Sequence, residues 1–143
     1  MARLLEVVTG HLASRTAAAL TGYEQATVTM LSLLLFVVGE ESPRAVARRV
    51  EENGALRGLF AQALPAVRDG ALRDRLETLA AGTDDDLAVA ALDATNAALR
   101  AALIDLHAHV EESEGAAARA VEAAIWSELR ASTERRHVSI APF

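Results

Sequence analysis

Apolar residues recur along this chain at the three- and four-residue spacing of a helix, and turn residues rather than changes of period divide them. Residues 2–20 place Leu5, Val8, Leu12 and Ala19 on one stripe, with Gly22 as the stop. Residues 23–38 are apolar almost all round, which predicts a central helix buried within a bundle. Its polar exceptions, Gln25, Thr29 and Ser32, fall on one side at helical spacing. "GEESPRAV" reads as a helix start, with Ser42 as N-cap and Pro43 at the first helical position. "ENG" reads as that helix's end, with Asn53 and Gly54 supplying the C-terminal stop. Shorter helices are predicted over 55–64, ended by Pro65, and over 71–81, closed by Gly82.

"GTDDDL" opens the longest helix. Thr83 is its cap, and three aspartates fill the first turn, where the helix dipole favours negative charge. Nothing breaks the pattern before Glu112, a run of about 29 residues and roughly 43 Å. Its core stripe is Leu92, Leu99, Leu103, Leu106 and Val110, with Asn96 on the same side. A final helix carries Ala118, Val121, Ile125 and Leu129, with Trp126 off the centre of that stripe. In the tail, Val138, Ile140 and Phe143 suit an extended segment docked by one apolar side. The expected fold is all-α: a compact single domain, 1–143, of about six helices. The 23–38 helix is its buried centre, and 84–112 and 116–135 are its two long C-terminal helices.

Composition narrows the chemistry. Cysteine is absent, which removes disulfides, thiolate metal sites and cysteine nucleophiles. Lysine is absent too, so all 14 basic residues are arginine, and Schiff-base catalysis is excluded. The net charge of −6 lacks the basic footprint of nucleic-acid binding. That balance also argues against reading "SPRAVARRVEENGALRGLF" as a DNA-binding helix-turn-helix. The most apolar segment, "VTMLSLLLFVV", is shorter than the roughly 20 residues that span a bilayer, so a soluble, cytoplasmic protein without a membrane partner is expected.

The densest cluster of ionisable groups is "LIDLHAHVEE". At about 100° per residue, His107 and His109 point roughly 200° apart and cannot share a metal within one helix. His107 sits at the margin of the core stripe with Glu111 one turn on, while His109 pairs with Asp105 one turn back. A di-metal carboxylate site needs Glu-x-x-His on each of two helices, and the chain offers one, Glu134 to His137, beside two arginines. No cofactor and no metal ligand set is expected.

Three readings of function follow. The first is a non-catalytic protein acting by association with a protein partner or with itself, most simply as a homodimer. Its interface would be the apolar strip Ala97, Ala101, Ile104 and Ala108 together with Trp126 and the tail, so that Ile104→Arg would split it. The second is a small-molecule binding protein or cofactor-independent enzyme. Asn96, Arg100, Gln25, Ser32 and Trp126 would line an inter-helix pocket, with His107 as the catalytic acid–base group. The third is a metal-binding bundle.

Overall fold

The structure is a computed structural model, and it describes residues 2–137. The α-helices are α1 (Ala2–His11), α2 (Gly22–Ala63), α3 (Gly70–Ala80), α4 (Val89–Glu111) and α5 (Ala116–Arg136). A π-type turn (Leu12–Thr16) and a 3-10 turn (Ala17–Ala19) follow α1, and a 3-10 turn (Leu64–Ala66) follows α2. The architecture is all-α, as the helical periodicity predicts, with no strand among the described residues. The expected docking of Val138–Phe143 lies outside the described residues.

Contacts group the chain into two units, one reaching Ala45 and the other covering Val46–His137. The second unit holds the hydrophobic core. Leu56, Leu59, Phe60 and Ala63 of α2 meet Leu76 of α3, Leu99, Ala102, Leu103, Leu106 and Val110 of α4, and Ala118, Val121 and Ile125 of α5. The stripes expected on the last two helices are thus the buried faces. Phe60, Leu76, Leu106 and Ile125 are wholly enclosed.

Three expected boundaries did not form. Helix α2 runs through Pro43 and Gly54 without a break. Only Gly22 and Gly115 adopt positive φ among the described glycines, so Gly54 is an ordinary helical residue and not a left-handed stop. Asn53, the other half of that expected stop, turns its side chain into the core of the second unit instead. The long helix begins at Val89, not at 84, because Asp84 is drawn away to Arg57 and Asn53. The other acids of "TDDD" then bond locally: Thr83 Oγ1 donates to Asp85, and the Ala88 N–H donates to Asp86 Oδ1.

In the first unit, α1 lies against the N-terminal part of α2, and a Cβ added at Gly39 would sit 3.7 Å from the Leu5 Cβ. One side of α2 faces inward: Ser32 is buried, and Val28, Leu35 and Gly39 are partly covered. The opposite side is open, with Met30 65%, Leu31 51%, Leu34 56% and Val38 54% exposed. The 23–38 helix is therefore not the buried centre expected from its composition. An apolar sequence makes exposure costly, but a helix is buried only where other elements supply a surface to cover it. Among the described residues of this unit, that cover falls on one side alone.

Candidate functional site

Two features of the structure bear on function: a polar cluster within the second unit and the open apolar face of the first. The polar cluster begins with Glu52, 1% exposed, on the α2 face that carries Leu56 and Phe60 one and two turns later. Its Oε1 accepts from Arg100 Nη1 at 2.9 Å, Ser132 Oγ at 2.8 Å and Arg136 Nη2 at 2.7 Å, and Arg136 also reaches Oε2 at 2.8 Å. Arg48 Nη1 stands 4.0 Å away, one helical turn before it. Burial pushes the Glu52 carboxyl up, but the Ser132 and Arg136 hydrogen bonds and the Arg136 and Arg100 charges outweigh it, so its pKa lies below the ordinary value.

Beside it, Asn53 is a buried connector. Its Oδ1 accepts from Asn96 Nδ2 at 3.0 Å, and its Nδ2 donates to Asp84 Oδ1 at 3.1 Å. Arg57 grips Asp84 with two hydrogen bonds of 2.8 and 2.9 Å, which hold the aspartate below its usual range and raise the guanidinium further. Every strongly buried polar side chain in this cluster is thus spent on another residue of the protein. Through Glu52 and Asn53 the cluster ties α2 to α4 and α5.

Glu128, on α5, is held differently. Burial dominates and raises its pKa; Arg135 opposes this by charge and hydrogen bond, while the charges of Glu52 and Glu51 push the same way as burial. A carboxyl whose folded pKa is raised binds its proton more readily in the native state. Its contribution to stability therefore falls as pH rises through the ordinary carboxylate range. Glu128→Gln is expected to raise Tm at pH 7 by about 2–4 °C, on the order of 1 kcal/mol, with the gain shrinking as pH falls through the raised folded value and gone below the unfolded value, pH ~4.3. Thermal melts at the two pH values check this; a lower Tm at pH 7 would show that the pair with Arg135 outweighs burial.

The residues expected to line a ligand site are distributed over both units. Asn96 and Arg100 belong to the polar cluster, their polar groups engaged by Asn53 and Glu52. His107 Nε2 lies 3.5 Å from Glu111 Oε1, one turn on as expected, and its ring meets Trp126 edge-on with centroids 5.4 Å apart. That nitrogen is buried without a hydrogen bond. His109 does not pair with Asp105: it accepts from the Arg68 backbone N–H at 3.3 Å, and Asp105 pairs with Arg75. The two imidazoles thus face different neighbours. Gln25 and Ser32 lie in the first unit, where Gln25 is exposed and the Ser32 hydroxyl donates to the Val28 carbonyl at 2.8 Å. No group of three or more His, Asp or Glu is placed to hold a metal among the described residues.

Glu52, Asn53 and Arg136 were not foreseen from the sequence. The signal was present: reading helix straight through Gly54 places Glu52 and Asn53 on the face of Leu56 and Phe60, an acid and an amide on a core stripe.

The second feature is the outer stripe of α2. On a helical wheel Tyr23, Met30, Leu31, Leu34 and Val38 fall within about 100° of one another, and all five are exposed. Thr27, Leu31, Leu34 and Val38 follow the four–three–four spacing of a coiled-coil seam. By length and composition α2 is also the one helix among the described residues apolar enough to cross a membrane.

No family model, curated protein or solved structure matches this chain.

Proposed function

We propose that this protein works by self-association, with the outer stripe of α2 docking against the same stripe of a second copy. The observation that carries the reading is that stripe: five large apolar side chains on one helix face, open to solvent and spaced for a helix partner. A bilayer fits it less well. Between Glu24 and Glu40 the uncharged run is 15 residues, about 22 Å against a hydrocarbon core of roughly 30 Å. A helix lying on a membrane surface draws on basic residues along its polar face; here that face offers Gln25, Thr29, Ser32 and Glu40.

The area sets the strength. Fully burying such a side chain removes about 60–120 Å² of apolar surface from water, so five partly exposed ones amount to about 300 Å² per copy. A standard interface takes about 800 Å² per partner. The pairing is therefore weak and concentration-dependent. The engagement of Asn96 and Arg100 by internal partners supports a non-catalytic role.

Light scattering over a micromolar concentration series tests this. The mass is expected to climb from 15.1 kDa toward twice that value, and Leu31→Glu combined with Leu34→Glu should hold it at the monomer. A monomer throughout would overturn the reading. The strip Ala97, Ala101, Ile104 and Ala108 of α4 is exposed as well, but only Ile104 is large. A dimer split by Ile104→Arg and not by the α2 pair would move the interface to α4.

A further inference from the structure

A separate cleft lies within the first unit, between α1 and the N-terminal part of α2, with a volume of about 420 Å³. Its size falls within the ~300–1,000 Å³ range of small-molecule sites. Leu35 and Phe36 form an apolar wall, and Arg3, Glu6 and Glu40 bring charges of both signs. Thr9 also lines it, 2% exposed.

Thr9 is anomalous. Four other hydroxyls of this unit donate to the carbonyl four residues back: Ser14 to Gly10, Thr27 to Tyr23, Thr29 to Gln25 and Ser32 to Val28. Of these five residues Thr9 is the most buried after Ser32, yet its hydroxyl makes no hydrogen bond within the protein. Leaving a buried hydroxyl unpaired costs about 1–3 kcal/mol, so such a group calls for a partner. Directly after α1 the chain widens into the π-type turn Leu12–Thr16, a distortion that recurs at functional sites.

We infer that this cleft binds a small, neutral, mostly apolar molecule carrying one hydrogen-bonding group, with Thr9 as its polar anchor. Leu35 and Phe36 take the apolar body. Thr9 lines the cleft, and its unpaired hydroxyl supplies the hydrogen-bonding partner. A charged ligand fits less well, because the charges lining the cleft are of mixed sign. The site is independent of self-association through the outer stripe, since Leu35 and Phe36 are not among the stripe residues.

Fluorescence titration with 1-aminoanthracene, a neutral fused-ring amine, tests the assignment. Saturable one-site binding is expected. Thr9→Val should weaken it about 3- to 10-fold, the worth of one hydrogen bond, while Tm stays level or rises because no native bond is lost. Gly10→Leu should abolish it: Gly10 lines the cleft, and a Cβ there meets nothing within 4 Å, so the larger side chain occupies the space without displacing backbone. Leu31→Glu with Leu34→Glu should keep wild-type affinity, which separates the cleft from the outer stripe. Absence of saturable binding, equal affinity in Thr9→Val and Gly10→Leu, or loss of binding in the stripe variant would each overturn the inference.

Discussion

Glu52→Ala is expected to lower the unfolding free energy by about 3 kcal/mol at pH 7, the low end of the ~3–5 kcal/mol for breaking a buried ion pair. The carboxylate is 1% exposed and accepts from Arg100, Ser132 and Arg136 at once. Its removal strands those donors around a small void. The low end applies because Arg100 and Arg136 keep side-chain exposures of 42% and 45% and can turn toward water. The loss should be pH-dependent. A carboxyl held below its ordinary pKa adds stability that is complete above the unfolded value, near pH 4.3, and lost as pH falls through the folded value. Urea unfolding of wild type and variant should therefore converge under acid conditions. A difference below about 1 kcal/mol at neutral pH, or one unchanged by acid, would mean that the cluster acts as a solvated surface pair.

Phe60→Ala should cost about 3–5 kcal/mol, the usual range for truncating a buried aromatic. Phe60 is wholly enclosed in the core of the second unit, and α2, α3, α4 and α5 all contribute side chains to that core. The loss combines the transfer energy of the ring with the cavity left behind, and neighbours tied by the polar cluster have little freedom to close it. The midpoint of urea unfolding should drop with little change in slope. A cost under about 2 kcal/mol would show that the core collapses into the space. Phe60→Leu, which retains more volume, should recover part of the loss.

The helical pattern carried most of the second unit. Leu99, Leu103, Leu106 and Val110 on α4, and Ala118, Val121 and Ile125 on α5, are buried on the faces their spacing marks. The 71–81 helix matches Gly70–Ala80, where Asp69 caps by accepting from the Leu72 N–H at 3.0 Å. Gly22, the expected stop, does adopt positive φ. The failures share a cause. Asn53 and Gly54 carry stop chemistry, and Thr83 with three aspartates carries start chemistry, but Asn53 and Asp84 were claimed by partners far along the chain. Asn96 lies 43 residues from Asn53, and Arg57 lies 27 from Asp84. A cap is worth about 1 kcal/mol. A bidentate arginine–carboxylate pair joined to a buried amide competes with that, and local signals hold no record of it.

The candidate site divides in the same way. The sequence by itself determined an all-helical chain without cysteine or lysine, the faces of α4 and α5 that pack, and the opposed directions of His107 and His109, because each follows from helix geometry and residue chemistry alone. It also marked 23–38 as the most apolar helix. Only the tertiary structure decided that this helix has one covered and one open side, that Glu52 is enclosed by arginines, and that Thr9 lies buried beside a cleft without a hydrogen bond. Period and propensity are properties of neighbours along the chain, whereas burial and pairing depend on which distant surfaces arrive.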